Sequence, residues 1–153
     1  MAAVTPAAIK ELRERTQAGM SDCKGALVEA EGDMDKAVEI IMKKGLAKSA
    51  KRASAVATEG EVRAAVSADK RAATIVEVNI QTDFAARSDG FKQFVDDVMN
   101  VALAAKAGAD LKAEPMGGKT VADVAAELTG KIGEKVDPRR WERVAVADGK
   151  SGL

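Results

Sequence analysis

Apolar residues return at helical spacing through the first 45 residues. Thr5-Pro6 starts the pattern, with Thr as N-cap and Pro at the first helical position. Ile9, Leu12 and Thr16 then share an inner face, while Lys10, Glu11, Arg13 and Glu14 point outward. Ala18-Gly19-Met20 reads as a turn. Ser21-Asp22 opens a second helix with Cys23, Ala26, Leu27 and Ala30 on one face, and Gly32 follows it as a left-handed stop. Asp33 caps a third helix in which Met34, Ala37, Val38, Ile41 and Met42 keep i, i+3, i+4, i+7, i+8 spacing, with Gly45 expected to end it. Three short helices joined by tight turns form a module that buries little alone. The turn leaves two placements open for Met20. It is either exposed, where a flexible thioether suits a binding surface, or folded back onto the bundle core.

From Thr58 the period changes to two. Glu59–Val66 and Arg71–Ile80 read as strands around a Ser67-Ala68-Asp69-Lys70 turn. Val76, Val78 and Ile80 fall on one face; Glu77, Asn79 and Gln81 fall on the other. After a corner at Thr82–Arg87, Ser88 caps a long helix and Asp89 complements its dipole. Phe91, Phe94, Val95, Val98, Val101, Ala102 and Ala105 make its buried stripe, and Gly108 is expected to end it. Ala109–Lys119 reads as an irregular connection. Thr120 caps the next helix, with Asp123 three residues on in a capping-box position and Val121, Val124, Ala125, Leu128 and Ile132 inward. Asp137-Pro138 closes the helical region. Arg139–Ala147 alternates as a strand, and Ala147-Asp148-Gly149-Lys150 looks like a hairpin turn. A strand and turn with no return leave two readings open: a truncation, with the core incomplete at its C-terminal end, or an edge left for a partner, which would permit self-association. The fold class is α+β: a helical module over 1–46, a basic helical linker over 47–57 and an α+β core over 58–153.

The chain has three Phe, one Trp and no Tyr. Phe91 and Phe94 lie on the core stripe. Phe84 does not; it stands beside Asp83 in a polar strand-to-helix corner, where a rigid scaffold presents side chains for function.

Composition narrows the chemistry further. The chain is 46% hydrophobic and 31% charged, with 24 basic and 24 acidic residues, so no overall charge argues for nucleic acid or membrane. No apolar run approaches the ~20 residues of a membrane span. The first residues lack the basic and apolar regions of a secretory signal, so a cytoplasmic location is expected. The single cysteine, Cys23, excludes an intramolecular disulfide and a cysteine-cluster metal site, and is expected on the second helix's inner face. The absence of histidine removes the usual triads, zinc sites and acid–base schemes. No catalytic constellation remains, so a non-enzyme without cofactor or metal of its own is expected. Gly117-Gly118-Lys119-Thr120 invites a phosphate-loop reading, but Ala113 stands where that motif needs its first Gly. Lys43, Lys44, Lys48, Lys51 and Arg52 fall in one window. With no aromatic interleaved for base stacking, a solvated helix is favoured there over an RNA patch.

Two blocks carry a family signature: Lys10-Glu11-Leu12-Arg13-Glu14-Arg15-Thr16-Gln17-Ala18-Gly19-Met20-Ser21-Asp22-Cys23-Lys24, and Val76-Glu77-Val78-Asn79-Ile80-Gln81-Thr82-Asp83-Phe84-Ala85-Ala86-Arg87. In this order and separation they closely resemble the translation elongation factor Ts family, guanine-nucleotide exchange factors for elongation factor Tu. Ile132-Gly133-Glu134-Lys135 and Arg139-Arg140 are also similar to it. The resemblance implies a ubiquitin-associated-like N-terminal module that grips the partner's G domain, followed by a core with a small antiparallel sheet and packed helices. It implies contacts from Arg13 and Met20. It further implies that Thr82, Asp83, Phe84 and Ala85 meet the G domain, Asp83 and Phe84 entering beside the partner's Mg²⁺ and dislodging it. GDP and Mg²⁺ would belong to the partner, and no direct nucleic-acid contact is implied. Ser21 and Ala85 depart from the family pattern, which usually has Met and Val there. Family members also continue beyond the length of this chain with a strand completing a second half of the core. Two other readings stand beside this one: a binding module built on the three-helix unit, and an RNA-associated protein using the basic window.

Overall fold

The computed structural model of the chain describes residues 4–150. Met1 to Ala3 and Ser151 to Leu153, on which the reading of the two chain ends partly rests, lie outside them. Helix α1 spans Pro6–Thr16, and its N-cap Thr5 accepts a hydrogen bond from the Ala8 N–H at 3.2 Å. Helix α2 spans Met20–Glu29, starting one residue before the expected Ser21, with Gly19 as an N-cap that has no side chain to offer. Leu12, Cys23, Ala26, Leu27, Ala30 and Ala37 bury together, with Ile9, Val38 and Ile41 packed around them. The expected inner faces therefore meet, and Cys23 is buried as the helical pattern required.

Helix α3 departs from expectation. It spans Met34–Arg52 and passes straight through Gly45. The stretch read as a separate linker is thus helical as far as Arg52 and continuous with the third helix. Gly45 is not a stop because it is a crossing point. There α3 packs on a core helix, α6 (Val121–Ile132), with Gly45 against Gly130. Two glycines let two helix backbones approach where side chains would hold them apart. Lys44 and Lys48 on α3 reach back to Glu29 at 2.7 Å and Asp22 at 2.8 Å on α2.

The core sheet has the order β1-β2-β5, all antiparallel, with β1 Glu59–Val66, β2 Ala72–Ile80 and β5 Asp137–Ala145. β1 pairs with β2 from Glu59 opposite Ile80 to Val66 opposite Ala73. The β2–β5 register slips between Glu77 and Val78: Glu77 faces Arg140 and Val78 faces Pro138, leaving Arg139 as the extra residue. A proline on an edge strand beside a bulge sacrifices no ladder bond of a central strand. Gly60 is obligatory, because at its φ of 141° a Cβ would stand 2.1 Å from the Val78 carbonyl oxygen.

Val76, Val78 and Ile80 are fully buried under helix α5 (Asp89–Ala104), against Phe91, Phe94, Val95, Val98 and Ala102. Helix α5 stops at Ala104, short of the expected Gly108. Arg143 of β5 donates to the Leu103 carbonyl at 3.0 Å, satisfying one of the acceptors that a helix end leaves free. The segment read as irregular carries a 3-10 turn at Leu111–Ala113 and a small hairpin, β3 (Pro115–Met116) with β4 (Lys119–Thr120). Gly117 and Gly118, both at positive φ (59° and 83°), form its two-residue turn, the conformation that glycine pairs supply in hairpins. The Gly-Gly-Lys-Thr run is therefore a turn and a cap. Thr120 and Asp123 make a full capping box at the start of α6. The outer face of the sheet leaves Val62, Val66, Ile75 and Val144 exposed.

Candidate partner-docking site

Ile80 is the last residue of β2 and is buried; three residues later the chain enters α4, a single helical turn at Asp83–Ala86. Thr82 is its N-cap, and its Oγ1 accepts from the Ala85 N–H at 3.2 Å. Ala85 points inward and is part of the core. Ser88 ties this turn to the next helix: its Oγ donates to the Ala85 carbonyl at 2.7 Å and accepts from the Phe91 N–H at 3.4 Å. One face of α4 is thus fixed, and the opposite face carries Phe84, 86% exposed. A phenyl ring held in water has no folding reason to be there, since burying such a side chain is worth roughly 1.5–3 kcal/mol. Asp83 is exposed beside it and receives a hydrogen bond from Arg87, one turn on, at 3.0 Å.

The loop that leaves α6 also meets this corner. Gly133 ends α6 in the left-handed region at φ 83°, which aims the next residue back toward β2. The Glu134 carboxylate accepts from the Thr82 N–H at 3.0 Å and from the Thr82 Oγ1 at 2.9 Å. The Lys135 N–H donates to Gln81 Oε1 at 2.8 Å. Val136 N–H donates at 3.0 Å to the buried Thr129 Oγ1, which itself donates to the Ala125 carbonyl at 2.9 Å. Sequence reasoning placed Glu134 in a family-like stretch without a task, because 52 residues separate it from Thr82.

The six residues expected at the site fall into two groups. Thr82, Asp83, Phe84 and Ala85 share one turn of the core; within it Phe84 and Asp83 face out, Thr82 is occupied in holding the turn, and Ala85 is its buried foot. Arg13 and Met20 belong to the helical module. Arg13 is exposed on α1, and Met20, at the first position of α2, is 48% exposed, so the outward placement is the one found. Among the described residues no group of His, Cys, Asp and Glu could hold a metal ion, and no helix is long and apolar enough to cross a membrane.

An α+β core that carries a helical module and holds one aromatic out on a bolted corner is the class of protein this architecture defines. Comparison with known proteins specifies it. The family model described as Elongation factor TS matches residues 81–152. Over 150 residues the chain is 48% identical to the Elongation factor Ts of Methylococcus capsulatus, a match covering 96% of this chain and 51% of that protein. It is 48% identical over 149 residues to that of Clostridium perfringens strain SM101, covering 95% and 49%. Against that of Lacticaseibacillus casei it is 47% identical over 152 residues, covering 97% and 51%. The chain belongs to the elongation factor Ts family, and it spans about half the length of the curated relatives it matches.

Proposed function

We propose that the chain binds elongation factor Tu and promotes release of GDP, with the three-helix module as the docking clamp and the Phe84 corner as the wedge. The observation that carries this reading is Phe84 itself: an 86% exposed ring on a turn whose other face is pinned into the core. A preorganised aromatic loses little conformational freedom on insertion, which makes it an efficient anchor. Asp83 beside it supplies a carboxylate that competes for groups around the partner's Mg²⁺. Such a protein needs no catalytic base and no cofactor; it acts by binding the nucleotide-free partner more tightly than the nucleotide-bound one, and linkage makes the weakening mutual. The work would be done in the cytoplasm, during translation elongation.

The test is release of fluorescent GDP from elongation factor Tu, with and without the chain. Accelerated release supports the reading; release at the intrinsic rate at saturating chain removes it. A second reading, a binding module without exchange activity, has the exposure of Met20, Val28 and Met42 on α2 and α3 in its favour. It predicts a stable complex whose GDP leaves no faster than from elongation factor Tu alone.

A further inference from the structure

We infer that Glu134 is a positioning residue that locks the Phe84 corner to α6, so that the wedge and the helical module are carried by one helix. The inference rests on the proposed exchange role for its functional consequence and on geometry for its structural one. A helix of one turn is not stable by itself, because nucleation fixes several residues for a single hydrogen bond. Helix α4 spans four residues, so its shape depends on what holds its ends. At the far end Ser88 does this. At the near end Thr82 does, and Thr82 is itself held. Its Oγ1 is a relay, donating to Glu134 at 2.9 Å while accepting from the Ala85 N–H at 3.2 Å. Its N–H donates to the second oxygen of the same carboxylate. Two bonds from one residue to both oxygens of an ionised group fix orientation as well as distance, and charge-assisted bonds are the stronger kind.

The carboxylate stands on the loop that ends α6. Lys135 holds Gln81 from the same loop, and Val136 roots it to Thr129 inside α6. One turn before Gly133, Gly130 of α6 receives α3 of the helical module at Gly45. A single rigid element thus separates the surface that carries Arg13 and Met20 from the turn that carries Phe84. Insertion of a side chain at a reacting centre is sensitive to displacements of about 1 Å. Without Glu134 the corner keeps its strand, its helix and the Lys135–Gln81 bond, but loses the two bonds that fix Thr82, and with it the start of α4, to the α6 loop.

The experiment uses the full chain and the variants Glu134→Ala, Glu134→Gln, Thr82→Val and the double variant Glu134→Ala/Thr82→Val. Two readouts are taken: hydrogen exchange of the Thr82 and Ala85 amides, and GDP release from elongation factor Tu as a function of factor concentration. The positioning role predicts that Glu134→Ala speeds exchange of both amides about tenfold or more, with the α5 amides unchanged, as local opening requires. It predicts a fall in the maximal rate of GDP release of about tenfold, with the half-saturating concentration moved less than about twofold, the signature of an interaction used in the step and not in docking. Glu134→Gln, which keeps one acceptor, recovers part of both. The double variant is no worse than the worse single one, because the two residues act as a unit. Unchanged amide protection in Glu134→Ala overturns the lock. Faster amide exchange with an undiminished maximal rate overturns the positioning role. If the wild-type chain releases no GDP, the exchange reading fails, and the amide data alone decide whether the lock exists.

Discussion

A Cβ built on Gly130 would stand 2.7 Å from the Cα of Gly45 and 2.9 Å from its carbonyl oxygen, whereas one built on Gly45 meets the Gly130 Cα only at 4.0 Å. The crossing of α3 and α6 is therefore lopsided, with room on one side only. Gly45→Ala is expected to stabilise the chain, since alanine in a helix interior is favoured over glycine by up to about 1 kcal/mol. Gly130→Ala gains the same propensity but drives a methyl into backbone, and overpacking costs about 1–3 kcal/mol. The net effect is destabilising and separates α3 from α6. Urea unfolding followed by Trp141 fluorescence and by circular dichroism checks both signs. Equal effects of the two substitutions would show that the helices do not cross as described.

Phe84→Ala separates function from stability. The ring is 86% exposed and contributes no core packing, so the substitution should change unfolding free energy by no more than about 0.5 kcal/mol. If the ring is an interface anchor, truncation costs at least about 2 kcal/mol, a loss of about thirtyfold in stimulated GDP release at subsaturating factor. Phe91→Ala is the converse control. That ring is fully buried, and its loss should cost about 3–5 kcal/mol of stability. A Phe84→Ala protein that melts well below the wild type would mean the ring packs against something, and the wedge reading would lose its basis.

Much of this architecture is legible in the sequence, and the features that are not share a cause. Strand β1 falls where its alternation put it, and the caps Thr5, Asp33, Ser88 and Thr120 all accept the expected backbone donors. These are local signals, carried by residues within one turn of the feature they specify. Gly45 misled because a glycine after an apolar run looks the same whether it stops a helix or admits a second one, and the deciding residue, Gly130, is distant in sequence. The β3–β4 hairpin was missed because two-residue strands have no period to detect. Phe84 stood out as an aromatic outside every apolar stripe. Glu134 did not, since a glutamate after a helix-ending glycine is ordinary until Thr82 is brought to it. The exposed aromatic on the corner was thus legible, but the bonds from Thr82, Ser88 and Glu134 that hold its turn were not.

Acid should weaken the fold in a defined window. Glu77 is held below its ordinary 4.5 chiefly by the hydrogen bond from Arg140, helped by Asn79 and by the charges of Arg140 and Arg139. Asp123 is held below 3.8 by the Thr120 hydroxyl and N–H, Asp33 by the Lys36 N–H above all, and Asp69 by the Ser67 hydroxyl. In each case the folded pKa lies below the unfolded one. The unfolded chain therefore binds more protons across that interval, and stability rises with pH through it. The contribution is complete above the ordinary carboxylate range and is lost as pH falls through the folded values. With no histidine in the chain, the usual side-chain source of change between about pH 5 and 8 is missing. The urea midpoint should be flat there and drop below about pH 4.5. Arg140→Gln should bring Glu77 back toward its ordinary value, so the gap between variant and wild type narrows as pH falls. A gap constant down to about pH 3 would remove Arg140 as the cause.

The basic window on α3 is less free than its sequence suggests. Of its five cations, Lys44 and Lys48 are paired with Glu29 and Asp22 across the α2–α3 interface, and no aromatic accompanies them. A phosphate backbone would have to displace two carboxylates to use the full set. Binding of single-stranded RNA is therefore expected to be weak near physiological salt. Any residual affinity should be electrostatic, with log K falling by about 0.7 per neutralised phosphate for each decade of salt. Asp22→Asn combined with Glu29→Gln frees both lysines and raises the chain's positive charge. It should strengthen RNA binding and steepen the salt slope while altering stability little, since exposed ion pairs are worth about 0–1 kcal/mol. Filter binding with a homopolymeric RNA across a salt series reads both. Tight binding by the wild-type chain near physiological salt, with a steep salt slope, would overturn this account of α3 and return the RNA-associated reading to the front; a flat response would exclude that reading.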